Sequence, residues 1–404
     1  MDYQIFFKNH IDKIRSEKRY RNFVPMLRKS QEFPYAYDPE TEKKIVLWCI
    51  NDYLGMSENK FVVEACKNSL NKHGVGSGGT RNIGGNNISI INLEKRLAHL
   101  HSKDKALLFT SGYIANQGTL SILGKIIPNL VFFSDELNHS SIIEGIKNSK
   151  LEKHIYKHND ISDLEEKLKS IDINTPKMIV FESVYSMNGI IAPIKEICDL
   201  AKKYNAMTYI DEVHSVGLYG ANGSGIANMM DCDHKIDIIQ GTLSKAYGVI
   251  GGYIVGSTNL IDAIRLSCSS FIFTTSLPPC LADSAKASVE YLMNSDCERE
   301  KIRSNTAKVK LALTNAGIKF IKNDSHIIAV IIGDPELSEK ISKKLLNEYN
   351  IYVQHINFPT VPRGAERLRI TPTSGHNDKM IKHLIDSLKT IFNELSLVQN
   401  DQIL

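Results

Sequence analysis

Several things are scarce in this chain of 404 residues, and each scarcity removes a class of function. The seven cysteines, at positions 49, 66, 198, 232, 268, 280 and 297, are odd in number, scattered and without a Cys-x-x-Cys pair. That excludes a disulfide framework and a cysteine zinc site, and it points to a reducing compartment. No charge of one sign dominates, since 49 basic residues face 45 acidic ones for a net +4 spread along the chain, so no nucleic-acid-binding face is implied. No apolar run approaches the ~18 residues of a membrane span. The opening Met1-Asp2-Tyr3-Gln4-Ile5-Phe6-Phe7 has neither an apolar signal core nor an Arg- and Ser-rich transit stretch, and no Cys-Pro pair follows it, so a bacterial cytoplasmic protein is expected. A serine elbow, a P-loop and the second histidine of a metalloprotease helix are also missing, and no metal is expected.

What is there is ordinary globular material, 42% hydrophobic and 23% charged, long enough for one large domain and a smaller one. The first ~20 residues mix charge with an apolar stripe of Ile5, Ile11 and Ile14 and read as a helical N-terminal arm. Short apolar stretches at 106–109, 130–134, 178–182, 207–211, 236–241 and 252–256 read as buried strands, with helical patterns such as 61–70, 164–169 and 194–204 before or between them. Such alternation predicts an α/β fold whose mostly parallel sheet is covered by helices. Beyond residue 295 the pattern becomes a charged helix (298–316), short strands (327–332, 351–355, 367–370) and a final helix (378–395), a smaller α+β domain, before a frayed tail at 398–404. The expected division is 1–50 as an N-terminal segment, 51–295 as the large domain and 296–404 as the small one.

Ligands of open α/β sheets bind beyond the carboxyl ends of the strands. At one such end, Lys245 stands in Gly-Thr-Leu-Ser-Lys-Ala-Tyr-Gly (241–248), among small residues and hydroxyls. A lysine so placed is suited to a Schiff base with an aldehyde cofactor; a surface lysine is the plainer alternative. Such a cofactor also needs a carboxylate for its pyridine nitrogen, a flat group on its ring and a phosphate cradle. Asp211 ends the stretch 207–211 and is either that carboxylate or a helix cap; His214 follows three residues later, and His139 offers an imidazole plane. Ser111, Gly112, Tyr113 and Ile114 open a helix after a strand, where N–H groups and a hydroxyl receive phosphate, and Thr242 can add a second hydroxyl. Gly74-Val75-Gly76-Ser77-Gly78-Gly79 spells a dinucleotide motif but follows a helical pattern rather than a strand, so it reads, with 80–85 after it, as mobile or closely approached backbone near a ligand, or as a plain loop.

The strings 241–248, Asp-Glu-Val-His-Ser-Val-Gly (211–217), Asn-Asp-Tyr-Leu-Gly (51–55) and Gly-Ser-Gly-Gly-Thr-Arg (76–81) resemble those of the α-oxoamine synthases. The resemblance extends over about residues 1–395, most specifically at Arg19-Tyr20-Arg21-Asn22-Phe23, 271–279 and 357–369. It implies the aspartate aminotransferase-like fold (fold type I), pyridoxal 5′-phosphate as cofactor and a homodimer with active sites at the subunit boundary. Implied roles follow residue by residue. Lys245 is the Schiff-base and proton-transfer lysine, Asp211 the pyridinium partner and His139 the stacking ring, with His214 and Ser186 beside the phenolic oxygen. Ser111, Gly112, Tyr113, Ile114 and Thr242 hold the phosphate, with Thr274 from the other subunit, and Thr275 also binds the cofactor. Arg369 binds the glycine carboxylate, and Arg21 with Asn51, Thr80, Asn82, Ile83, Ser134 and Thr360 receives succinyl-CoA. The implied reaction is an acyl transfer from succinyl-CoA to glycine. Rivals are a sister enzyme using acetyl-, pimeloyl- or palmitoyl-CoA, which lack a need for Arg21, and an inactive partner subunit, which has no need for Lys245 and Asp211 together.

Overall fold

The computed structural model describes residues 1–397; the tail expected to fray, 398–404, lies outside the described residues. The chain divides into two compact units, one of Asn51–Ser186 with Ile190–Arg299, the other of Met1–Ile50, Met187–Gly189 and the chain from Glu300 onward.

The larger unit is built on a seven-stranded sheet. Across it the strands run Lys105–Phe109, Gly252–Gly256, Ile238–Thr242, Ala206–Asp211, Lys177–Glu182, Val131–Asp135 and Lys153–Tyr156. The last five are mutually parallel, and Gly252–Gly256 is antiparallel to both neighbours. Every residue of Lys177–Glu182 and of Val131–Asp135 is buried, as befits strands with helices on both faces. One core joins Phe132, Val180, Tyr209 and Ile254 of the sheet to Leu120 and Leu123 of the helix Gly112–Ile126 and to Ile142 and Ile146 of Ser140–Ser149. All six expected strands are present, 252–256 with the same bounds and the other five with ends shifted by one or two residues; Lys153–Tyr156 adds an edge strand. Buried polar residues gather at the carboxyl ends: Asp135, Glu182, Asp211 and Thr242. Glu182 and Asp211 are register partners on adjacent strands.

In the smaller unit, an antiparallel sheet orders Ile328–Ile331, Arg367–Ile370 and His355–Ile356, and a second orders Tyr35–Tyr37, Lys44–Leu47 and Ile351–Tyr352. The single strand expected over 351–355 is therefore two, one in each sheet. The first fifty residues are not a separate segment, because Lys44–Leu47 pairs in parallel with Ile351–Tyr352, and Val46 and Trp48 enter the same core as Leu368 and Leu384. The N-terminal helix Gln4–Ser16 buries no residue, and Ile5, Phe6 and Phe7 are 55%, 59% and 60% exposed. Among the described residues no helix is long and apolar enough to cross a membrane.

Candidate active site

After the strand Ile238–Thr242 the chain folds back on itself and presents Lys245. The N–H of Leu243 and the hydroxyl of Thr242 each donate to the carbonyl of Gly251 at 2.9 Å, and Gly248 N–H donates to the Lys245 carbonyl at 2.9 Å. Gly248 has φ +67°, and a Cβ there would lie 2.3 Å from the nitrogen of Ser57, so only glycine fits. Lys245 is half-buried, its Nζ 2.9 Å from Nε2 of the buried His214. His214 Nδ1 is 2.8 Å from the hydroxyl of Tyr53, which donates to Asn51 Oδ1 at 3.1 Å. With the Tyr53 proton given to Asn51, the phenolic oxygen accepts from His214 Nδ1–H, and Nε2 is left to accept from the lysine amine.

Asp211 is 2% exposed, and both its oxygens are engaged: Asn116 Nδ2 donates to Oδ2 at 2.6 Å and Val213 N–H to Oδ1 at 2.9 Å. Asn116 also donates to Ser141 Oγ at 3.0 Å, and Ser141 Oγ lies 2.7 Å from His139 Nδ1. His139 is exposed as a residue, yet partial loss of water around its ring lowers its pKa; the Asp211 charge opposes this and Lys245 adds to it. Glu182 accepts from His139 N–H at 2.6 Å, and burial, reinforced by Asp211, raises its pKa well above the usual carboxylate range. Lys245 and Asp211 thus act on the same two groups. Glu212 is fully buried and accepts from the N–H groups of Ile226 at 3.1 Å and Ala227 at 2.7 Å and from the Ser215 hydroxyl. These bonds fix the turn that carries His214.

Beside this cluster the helix Gly112–Ile126 begins, with the Ser111 hydroxyl accepting from Ile114 N–H at 3.2 Å. The first N–H groups of a helix have no helical acceptor, which makes its start an anion site. A Cβ on Gly112 would come within 3.4 Å of Thr242 Cβ and Oγ1, so Ser111, Gly112 and Thr242 converge. Tyr113 stands at the edge of His139, ring centroids 6.2 Å apart. Thr242, expected to offer its hydroxyl to phosphate, gives that proton to Gly251 instead. The donor set fits pyridoxal phosphate: an amine for the aldehyde, a carboxylate for the ring nitrogen and a helix start for the phosphate.

Residues 43–388 match the model of the family described as aminotransferase class I and II. Over 396 residues the chain is 60% identical to 5-aminolevulinate synthase of Rickettsia prowazekii (strain Madrid E), covering 98% of this chain and 95% of that one. It is 47% identical over 399 residues to 5-aminolevulinate synthase of Bradyrhizobium diazoefficiens, covering 98% of each. The chain belongs to the 5-aminolevulinate synthase family. Among solved structures it resembles serine palmitoyltransferase of S. paucimobilis bound to a PLP–myriocin aldimine, with a TM-score of 0.91 at 29% identity over 98% of this chain and 100% of that one. A Sphingomonas wittichii serine palmitoyltransferase gives 0.91 at 27% identity over 99% and 100%. The cofactor of the 5-aminolevulinate synthase family, pyridoxal phosphate, is the cofactor of this chain.

Against that family's cofactor the expected site residues fall into groups. Lys245, His214, Asp211, His139 and Asn51 share the network described above, with Ser111 to Ile114 and Thr242 at the helix start. Ser134 is buried and accepts from Asn138 Nδ2 at 2.9 Å; Ser186 is half-buried. Thr80 instead pairs with Thr275 in a short antiparallel bridge, with Thr274 next to it and Asn82 and Ile83 in an exposed turn. Contacts brace that turn: Arg81 grips Glu94 with two bonds of 2.8 and 2.9 Å, and a Cβ on Gly79 would lie 2.3 Å from the Ile83 carbonyl oxygen. Arg21, Thr360 and Arg369 belong to the smaller unit, where Arg21 Nη2 donates to Thr360 Oγ1 at 2.9 Å and Arg369 is 6% exposed on Arg367–Ile370. Sequence reasoning assigned no role to Tyr53, Asn116, Ser141 or Glu182. Tyr53 left a signal by lying inside the quoted string 51–55, and Glu182 by closing the expected strand 178–182, at an end where ligands bind.

Proposed function

We propose that this chain is the acyltransferase that condenses glycine with succinyl-CoA, giving 5-aminolevulinate, CoA and carbon dioxide, the first step of a route to haem and other tetrapyrroles. The observation that carries it is Lys245 Nζ at 2.9 Å from His214 Nε2, on the same strand ends as Asp211, in a chain 60% identical to 5-aminolevulinate synthase. Pyridoxal phosphate, when bound, supplies an electron sink for the charge left at the glycine α-carbon. Lys245 holds the aldehyde carbon between turnovers. Its amine would remove the glycine α-proton and, after CoA and carbon dioxide have left, return a proton to the same carbon. Asp211 would keep the ring nitrogen protonated, His139 would offer its ring to the cofactor's, and His214 with Ser186 would serve the phenolic oxygen. His214, once its Nε2 has taken up a proton from the Lys245 ammonium, would give the hydrogen bond that assists loss of carbon dioxide. Ser111, Gly112, Tyr113 and Ile114 would hold the phosphate, and Thr242 would join them by turning its hydroxyl from the Gly251 carbonyl to the phosphate.

Arg369 takes the glycine carboxylate, and Arg21 takes the far carboxylate of the succinyl group, a task for a planar fork of donors. Asn51, Thr80, Asn82, Ile83, Ser134 and Thr360 complete the acyl-CoA site. The chain acts as a homodimer in which Thr274 and Thr275 of one subunit reach the phosphate of the other. Exposed apolar side chains around the Thr80–Thr275 bridge support this, with Val75 77%, Ile83 70% and Phe273 79% exposed. Its likeness to bacterial relatives supports a bacterial cytoplasmic setting.

Purified protein loaded with pyridoxal phosphate should form 5-aminolevulinate from glycine and succinyl-CoA and prefer succinyl-CoA in competition with acetyl-CoA. Preference for acetyl-CoA assigns the chain to a sister reaction, and a protein that takes up no pyridoxal phosphate overturns the reading altogether.

A further inference from the structure

Asn116 lies on the helix Gly112–Ile126, 2% exposed, and its amide faces three hydrogen-bond partners from two other elements, the strand Ala206–Asp211 and the helix Ser140–Ser149. Tyr209 Oη is 2.7 Å from its Oδ1, while its Nδ2 is 2.6 Å from Asp211 Oδ2 and 3.0 Å from Ser141 Oγ. The direction of every proton in this set follows from chemistry. An ionised carboxylate only accepts, so the amide nitrogen must face Asp211, and the amide oxygen is left to accept from Tyr209, whose burial holds it protonated far above its ordinary range. Ser141 Oγ accepts from the second amide proton and gives its own to His139 Nδ1 at 2.7 Å. The backbone N–H of Ser141 points at the same nitrogen at 3.3 Å. A backbone N–H only donates, so Nδ1 carries a lone pair and the imidazole proton is on Nε2.

We propose that Asn116 is a positioning residue: one amide that orients the Asp211 carboxylate and, through Ser141, fixes His139 in the neutral tautomer with its proton on Nε2. This rests on the pyridoxal-phosphate reading above. An amide is the side chain of this size that offers two donors and one acceptor. Leucine leaves Tyr209 and Asp211 Oδ2 without partners, and aspartate sets a second carboxylate at the 2.6 Å contact, where one proton must be shared. The titratable groups facing this point are Asp211 and Tyr209 directly and His139 through Ser141, with Glu182 on the adjacent strand and Lys245 acting on both His139 and Glu182.

The test compares N116D and N116L with the wild type in two measurements: the affinity of the apoprotein for pyridoxal phosphate, and the pH titration of the bound cofactor's visible absorbance. Asn116→Leu should bind pyridoxal phosphate about tenfold more weakly or worse and shift the midpoint of the absorbance titration. Asn116→Asp keeps the shape, so it decides the matter where N116L is not recovered folded. While the shared proton is present the introduced carboxyl donates to Asp211 in the amide's place, so the affinity of N116D relative to wild type should fall by about tenfold or more from pH 6 to pH 9. Wild-type affinity and an unmoved titration in both variants overturn the proposal while leaving the function intact. A wild-type apoprotein that takes up no pyridoxal phosphate instead removes the function on which the proposal rests.

Discussion

The surroundings of Lys245 and those of Arg21 are built in opposite ways. Around Lys245, Asp211 and His214 are 2% and 4% exposed, held from strand ends and turns by hydrogen bonds that leave little freedom. Arg21 is exposed, on a segment of little regular structure, and its partner Thr360 is exposed as well. Other contacts hold that segment, among them Lys18 to Glu336 at 2.6 Å and the Arg19 guanidinium 5.7 Å from the Phe358 ring. Together residues 18–24 and 352–360 line a cavity of about 380 Å³. Groups that move protons must stay registered to a fraction of an ångström, whereas a group that chooses among acyl chains needs only reach and charge. On the proposed assignments, proton chemistry falls at the strand ends of the sheet and discrimination on an exposed segment of little regular structure.

The contrast breaks most sharply at its rigid end. Lys245→Ala removes both the covalent anchor and the proton carrier and should lower kcat for 5-aminolevulinate formation by about 10⁴-fold or more. A variant within tenfold of wild type would mean that the base is another group. Arg21→Leu should act on one substrate alone, raising KM for succinyl-CoA by about ten- to a hundredfold, as for loss of a hydrogen-bonded charge, with KM for glycine unchanged. Equal effects on both substrates would show Arg21 to be structural. Tyr53→Phe, a change within the rigid network, should have a smaller effect. It takes the acceptor from His214 Nδ1–H, so kcat should fall by only about five- to tenfold, with an altered pH profile because the tautomer of His214 is no longer fixed.

Much of the larger unit could be read from sequence because parallel strands buried on both faces leave uninterrupted apolar runs, and the rule that ligands meet their carboxyl ends led directly to Asp211 and Lys245. The edge strand Lys153–Tyr156 escaped because only Tyr156 in Lys-His-Ile-Tyr is buried. Apolar periodicity also could not reveal that 351–356 changes sheets midway, since both strands need the same residue types. Asn116 was invisible for a different reason. A polar residue inside a helix has no periodic signature, and its partner Asp211 lies 95 positions away, so only packing shows that the two meet.

Rigidity has a cost that the exposed region does not share, and Glu212 measures it. Burial raises the Glu212 carboxyl from its ordinary 4.5 to about 7, against the pull of the Ala227 N–H and its other donors. Between those values the folded chain keeps a proton that the unfolded chain has released, so raising the pH favours unfolding, by up to ~1.4 kcal/mol for each pH unit. Stability from this group is therefore fully present below pH ~4.5 and declines as the pH passes through about 7. Glu212→Gln has no proton to lose. Whatever its stability at pH 5.5, it should lose less of it on going to pH 7.5 than the wild type does, as read from urea midpoints at both values. Glu182, whose carboxyl is also raised by burial, contributes equally to both proteins and cancels in the difference. Parallel pH slopes would mean that Glu212 ionises in the folded chain as freely as in the unfolded one, and that the turn carrying His214 is looser than its hydrogen bonds indicate.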